Sequence, residues 1–392
     1  MSRVAFVVLG TGRWIGGKHY VANLIAITKT YQRDNLEPVL FCSTEISKEE
    51  LDYYKKIKGL SIVQSCFLNN WMSKFGLMIS IILGRDYFIS SLLEKHNIDS
   101  IFTNTKYLGW RFPIPVVVWI PDLQHRFLTN LFTKVAILKR DIGFRMQIFV
   151  ASKVMLSSHD AKTHCEKFYR SSIGKTVSVP FAVSSPEPKT ITRARESLKH
   201  YSLPDSFFFI PNQFWRHKNH LLVLDALVEL RDNGLKVNVV FTGECHDHRN
   251  LEYYNEFCQV LALYDLQDQV NVLGKVPYAD VLSLMISCEA LINPSLFEGW
   301  STTVEEAKAY GVRIVLSDLD VHYEQLGSEG TYFDKTDPNS LANALTTILN
   351  TELDGVEERQ KRVFINNDKK VREFSRRFAS IIHSSVRDNT SK

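Results

Sequence analysis

The sequence contains no Cys-x-x-Cys pair. Its six cysteines, Cys42, Cys66, Cys165, Cys245, Cys258 and Cys288, stand apart from one another and from the histidines. That spacing argues against a zinc site and against a disulfide framework, and it fits a reducing compartment. Long hydrophobic runs are also missing. The longest apolar-leaning stretch, Phe75–Leu83, falls far short of the roughly 20 residues a bilayer-spanning helix needs. No secretory signal is read at the N-terminus, where Arg3–Leu9 has the pattern of a strand running into a glycine loop; a cytoplasmic location is the expectation. Charge of one sign is scarce: 47 basic against 43 acidic side chains leave a formal net charge of +4. This permits an anionic partner, such as a nucleotide or a lipid head group, without demanding one. There is no internal repeat and no low-complexity segment, and no compact basic–aromatic surface speaks for nucleic acid.

What is there is an ordinary globular composition, 45% hydrophobic and 23% charged. A chain of 392 residues is long for one core, so two domains are expected. In the first half, apolar β-rich runs alternate with helical patterns. Val4–Leu9 leads through Gly10–Gly17 to a helix expected at Lys18–Thr30. Pro38–Ser43, Leu60–Gln64, Ile98–Asn104, Pro115–Ile120, Val150–Ser158 and Thr176–Val179 read as further strands. That alternation predicts a parallel sheet with helices on both faces. The first loop does not have dinucleotide-fingerprint spacing. Gly16 and Gly17 either let a ligand approach a helix N-terminus or make a tight turn.

Pro121–Arg126 follows a strongly apolar strand, and open α/β sheets collect ligands at carboxyl strand ends. Asp122, His125 and Arg126 are therefore functional candidates. His125 either donates to a ligand hydroxyl or pairs with a backbone carbonyl. Phe127–Phe149 mixes apolar residues with Lys134, Lys139, Arg140 and Arg145. It reads as a core-facing helix with a solvated basic side, or as an amphipathic helix on an anionic membrane.

Ser184–Pro188 has linker composition. It divides residues 1–184 from a second domain, 185–370, with a last helix at 371–392. Phe374, Phe378, Ile381 and Ile382 recur there at helical spacing, which argues for packing over a free basic tail. In the second half, Phe207–Ile210 is a short strand running into Pro211–His220. Lys218 lies close to a helix start, where an anion is already favoured; a lone surface lysine is the other reading. Val237–Thr242 ends at Gly243, another ligand-side strand end.

The stretch from Asn293 to Asp318 organises the chain. It reads as strand, loop, helix and strand, with Thr302–Glu305 at capping-box spacing. Glu298 and Glu306 frame the helix start with seven residues between them. A diphosphate on the free N–H groups at that end, with a glutamate to either side, is one interpretation. A capping Glu305 with solvated Glu298 and Glu306 is the other.

Phe297-Glu298-Gly299, that spacing, Ala307, Gly311 and Ser317-Asp318 resemble the donor-site motif of glycosyltransferase family 4. The likeness continues through His322-Tyr323-Glu324, Gly330–Asp334 and Asp337-Pro338. The resemblance implies the GT-B fold: α/β, two facing Rossmann-like domains with an interdomain cleft, the last helix crossing back to the first domain. It implies a retaining transferase that moves a sugar from a nucleoside-diphosphate sugar to a hydroxyl acceptor, in polysaccharide or lipopolysaccharide-type synthesis. By that resemblance Glu298 holds the donor sugar and Glu306 the ribose, while Gly299 and the N–H groups of Trp300, Ser301 and Thr302 hold diphosphate and sugar. Lys218 contacts the diphosphate, and Gly16 and Gly17 face the phosphates. Gly243 lies on the ligand side, and the Val276 loop embraces the base. Glu298, His125 and Lys218 are the expected catalytic residues, and Asp122, His125 and Arg126 the expected acceptor-binding ones.

The chain departs from the family at two places. Gln213 stands where an arginine is usual, with Arg216 as a substitute. Pro121 stands where a histidine is usual, with His125 as a substitute. No Asp-x-Asp motif is read as a metal site, so transfer without metal or cofactor is expected. The named alternatives are a phosphorylase or epimerase of similar architecture and a non-catalytic subunit of a glycan-assembly complex. A lipid-linked glycan is the acceptor class considered, with the protein peripheral at the inner face of the plasma membrane.

Overall fold

The computed structural model describes residues 1–8, 15–104, 106–184, 191–245, 252–351 and 356–390. The expected loop at Gly10–Trp14 and the linker Ser185–Pro188 lie outside them. The chain divides into two compact units. One comprises residues 1–123, 133–184 and 369–392; the other comprises 124–132 and 185–368.

The first unit holds seven strands: β1 (Ser2–Val8), β2 (Leu36–Ser43), β3 (Ser61–Ser65), β4 (Ser100–Thr103), β5 (Val116–Trp119), β6 (Lys153–Leu156) and β7 (Thr176–Ser178). They form one parallel sheet in the order β3-β2-β1-β4-β5-β6-β7. Val4 pairs with Pro38 of β2 on one side and Ser100 of β4 on the other. The strands are apolar on both faces, as a sheet covered twice requires. On one face Ala5, Val39, Val116 and Val118 pack with Ile89, Leu93, Ile148 and Ala161. On the other, Phe6 and Phe102 meet Phe378 at 5.8 and 5.6 Å between ring centroids. Tyr20 stacks on Trp119 at 3.8 Å. Phe378 belongs to the helix Val356–Thr390, whose residues from Lys369 onward group with this unit.

The second unit holds β8 (Phe208–Ile210), β9 (Val239–Phe241), β10 (Val270–Val272), β11 (Leu291–Asn293), β12 (Ile314–Ser317) and β13 (Thr331–Phe333). Its parallel order is β10-β9-β8-β11-β12-β13. In both sheets the order reverses direction once, between β1 and β4 and between β8 and β11. The connections diverge at these points, leaving a crevice at the carboxyl ends of the strands.

Four local expectations are corrected. The first helix starts at Ile15, not Lys18, so Gly16 and Gly17 lie inside its first turn. Phe127–Phe149 is not one helix. Short turns at Gln124–Phe127 and Thr129–Leu131 precede the helix Lys134–Val150, which Thr133 caps by accepting from the Ala136 N–H at 3.2 Å. Residues 124–132 also group with the second unit, although they were read as part of the first. A helix at Asn70–Leu83 was not anticipated. It is apolar on its outward side as well, so it lacks the polar stripe that would mark a 3.6-residue period.

Candidate functional site in the second unit

The direction change between β8 and β11 sets two loops side by side. After β8 the chain turns through Arg216–Lys218 into the helix His220–Asp232. After β11 it passes Pro294–Trp300 into the helix Thr302–Ala309. Lys218 Nζ donates to Glu298 Oε1 at 2.6 Å across the two loops, and both side chains are largely buried. The loops are also tied by their backbones, because Leu296 N–H donates to the His217 carbonyl at 2.8 Å.

A polar network beneath the loop fixes Glu298. Ser295 Oγ lies 2.8 Å from Glu298 Oε1 and 2.6 Å from Asn293 Oδ1. Ser317 Oγ donates to the Ser295 carbonyl at 2.6 Å, and Asn293 Nδ2 donates to Ser301 Oγ at 3.0 Å. His322 Nδ1 lies 2.8 Å from the Ser317 carbonyl; a carbonyl only accepts, so that nitrogen carries the proton. Burial holds the His322 pKa below the usual imidazole value, with the Glu298 charge pulling the other way.

The two glutamates behave differently. Burial alone would raise the Glu298 carboxyl, but the Lys218 ammonium and its hydrogen bond, with His217 and His322, bring it down to about 2. Glu298 is therefore a fixed anion at neutral pH. Glu306 is buried on the helix Thr302–Ala309. Burial pushes its carboxyl up to about 7, against the hydrogen bond its Oε1 accepts from the Tyr278 hydroxyl at 2.7 Å. It can both donate and accept near neutrality.

The expected capping box is displaced by one residue. Ser301, not Thr302, is the N-cap, accepting from the Val304 N–H at 3.4 Å. Asn293 has already oriented the Ser301 hydroxyl, which decides the register. Glu305, the expected capping carboxylate, instead accepts from Lys308 at 2.8 Å and from Gln325 Nε2 at 3.0 Å. The Ser301 N–H, expected to meet a ligand, donates to Gln325 Oε1 at 3.2 Å. Among the described residues no partner takes the N–H groups of Trp300 and Thr302.

Other candidates spread out. Arg216 pairs with Glu256 and lies 5.0 Å over the Tyr253 ring, beside a cavity of about 200 Å³ that Leu128, Asn130 and Leu296 also line. The carbonyl of Gln213 accepts from the Trp215 N–H at 2.7 Å. Gly243 has φ +137°, and a Cβ there would meet the Asn212 carbonyl oxygen at 2.5 Å, so packing alone requires the glycine. Val276 packs on the apolar cluster around Leu316. Gly299 is buried, and the Phe297 ring before Glu298 stacks on Phe127 at 5.1 Å. His125 is fully buried in the turn Gln124–Phe127, and Arg126 is half-buried there. Asp122, also half-buried, belongs to the first unit, as do Gly16 and Gly17.

Sequence reading missed Ser295, Tyr278 and Gln325. Ser295 sat inside the motif as an ordinary loop serine. Tyr278 and Gln325 come from elements remote in sequence, and no local pattern marks them. It also passed over Asp318-Leu319-Asp320, which has Asp-x-Asp spacing. Asp318 Oδ1 accepts from Lys335 Nζ at 3.1 Å, and among the described residues no three metal-ligating side chains converge.

Comparison with known proteins adds three findings. Residues 192–371 match the family model described as glycosyl transferases group 1. The chain is 29% identical over 119 residues to the phosphatidylinositol N-acetylglucosaminyltransferase gpi3 subunit of Schizosaccharomyces pombe, covering 30% of this chain and 25% of that protein. It is 25% identical over 145 residues to the O-antigen chain mannosyltransferase RfbU of Salmonella typhimurium, covering 37% and 38%. The chain thus spans between a quarter and two-fifths of the length of these curated relatives. The solved structure of Anabaena HepE in complex with UDP and glucose is similar at a TM-score of 0.71, with 14% identity over 98% of this chain and 100% of that one. This likeness is one of fold.

Proposed function

The chain belongs to the group 1 glycosyl transferases through residues 192–371 and has a fold of the GT-B type, and from that premise we propose that it transfers a sugar from a nucleoside-diphosphate sugar to a hydroxyl acceptor with retention of anomeric configuration. The observation that carries the reading is the Lys218–Glu298 pair, held at 2.6 Å between the loops of the β8/β11 direction change and next to a helix N-terminus.

The barrier to breaking a glycosyl–phosphate bond is mainly developing charge, and fixed cations and N–H donors oppose it without reorganising. Lys218 supplies the cation and the Trp300 and Thr302 N–H groups supply donors. A diphosphate on Lys218 would draw it from Glu298. The freed carboxylate accepts hydrogen bonds from sugar hydroxyls and stabilises positive charge growing on the ring. Glu306 accepts from the ribose. The acceptor proton leaves on a donor phosphate oxygen, and Lys218 with the helix-end N–H groups neutralises the leaving diphosphate in place of a divalent metal. HepE, with its bound UDP and glucose, supports a UDP-sugar as donor. The relatives named for phosphatidylinositol and O-antigen chain support a glycan or lipid-borne hydroxyl as acceptor, and synthesis of such a glycan as the pathway.

Titration calorimetry of the full chain with UDP, GDP and a panel of their sugars tests this, with and without EDTA. Micromolar binding of one donor, unchanged by EDTA, and slow donor hydrolysis are expected. A folded protein that binds and hydrolyses none of them is a non-catalytic subunit, and the proposal fails.

A further inference from the structure

Two helices in the first unit turn apolar side chains to solvent. On Asn70–Leu83, Trp71 is 65% exposed and Ile82 66%, and Phe75 and Met78 are exposed between them. Spacings of 4, 3 and 4 put these four on one stripe of the helix. On Lys134–Val150, Val135 is 62% exposed and Phe149 65%, with Leu138 and Ile142 on the same stripe. Trp110 extends the first stripe: it is exposed, and its ring lies against Gly84, the C-cap of Asn70–Leu83. Both helices belong to crossovers that leave a strand at its carboxyl end and run toward the β7 edge, and right-handed crossovers in one direction fall on one side of the sheet. Contiguous apolar exposure of this kind marks an interaction site.

Charge decides the partner. Asn70–Leu83 has one charged residue, the exposed Lys74. On Lys134–Val150 the exposed stripe is flanked by Lys134 and Arg145 on one side and by Lys139 on the other. The single acid in either helix, Asp141, is buried and accepts from the Tyr169 hydroxyl at 2.6 Å. Lys74, Lys134 and Lys139 have no carboxylate partner among the described residues. Large apolar side chains bordered by these lysines, without an exposed acid in either helix, match an anionic bilayer surface: apolar groups enter the acyl boundary and lysines stay at the head groups. Asn70–Leu83 is about 21 Å long at 1.5 Å per residue, too short to span. Its junction with Tyr87–Lys95 is bent by 106°. It lies on the surface.

We infer that the exposed faces of Asn70–Leu83 and Lys134–Val150 are a docking surface for the anionic face of a lipid bilayer, independent of the donor chemistry proposed above. The test is co-sedimentation of the full chain with phosphatidylcholine vesicles, with and without phosphatidylglycerol. The expected result is pelleting with the anionic vesicles, weakened by salt. A Met78→Glu/Ile82→Glu variant and a separate Lys74→Glu/Lys139→Glu variant should each lower the bound fraction at least tenfold. Both keep the melting temperature and the nucleotide-sugar affinity of the parent, because all four positions are exposed. Wild-type protein that stays in the supernatant with anionic vesicles overturns the inference. So does equilibrium sedimentation without lipid showing a dimer that Met78→Glu/Ile82→Glu converts to monomer while pelleting is unchanged, since the face then joins two copies of the chain.

Discussion

Glu298 and Glu306 stand at the same helix end and hold their protons over different ranges, because a cation outweighs burial at one while only a hydroxyl opposes burial at the other. Glu298→Gln keeps the size and the Ser295 contact but removes the charge. It should lower kcat/KM by at least a hundredfold, about 3 kcal/mol of transition-state stabilisation, with KM for the donor little changed; steady-state kinetics read this directly. Glu306 gives a pH signature. Its folded pKa of about 7 lies above the ordinary 4.5, so between those values the folded protein binds more protons than the unfolded chain. Stability therefore falls as pH rises from about 4.5 to about 7 and levels beyond. Glu306→Gln should flatten that slope and raise stability at pH 8 by on the order of 2–3 kcal/mol, as urea titrations across pH would show. That both glutamates flank one helix start was legible from their spacing. Their opposite protonation was not, because Lys218 lies 80 positions from Glu298 and Tyr278 28 from Glu306.

At the scale of elements, the helix Thr302–Ala309 owes its start to contacts the local sequence does not contain. Thr302–Glu305 and Ser301–Val304 are both frames in which a hydroxyl can cap, and the first also supplies the glutamate of a capping box. Asn293 and Gln325 choose the second by bonding Ser301. Ser301→Ala should cost about 1–2 kcal/mol, since it removes a cap and strands Asn293 Nδ2; thermal melts of the variant check it. Gly243 is a sharper case. Alanine there meets both a positive φ and a backbone oxygen at 2.5 Å, so Gly243→Ala should destabilise by on the order of 2–3 kcal/mol without touching a charge. Strand positions were legible because buried parallel strands are short apolar runs between turn residues. The helix Asn70–Leu83 was not, because its outward face is as apolar as its inward one.

At the scale of the molecule, residues far apart in the chain close the first unit. Phe374 and Phe378 are fully buried and meet Phe181, Phe6 and Phe102. Phe378→Ala should cost about 3–5 kcal/mol and lower the melting of this unit specifically, seen by calorimetry as an early transition with the other unit's transition in place. The apolar periodicity of the tail indicated packing, while Phe6 and Phe102, the strand partners of Phe378, lie more than 270 positions earlier.

Read alone, the amino-acid sequence determined the α/β class and the family motif around Glu298 and Glu306. These depend on local apolar patterning and on residue spacing along one element. Only the tertiary structure decided which cation neutralises Glu298, which hydroxyl caps the helix Thr302–Ala309, that Gly243 is required by packing, and that two apolar helix faces are left to solvent. Each of those follows from strand order, and strand order is set by burial of whole faces rather than by any one stretch of chain.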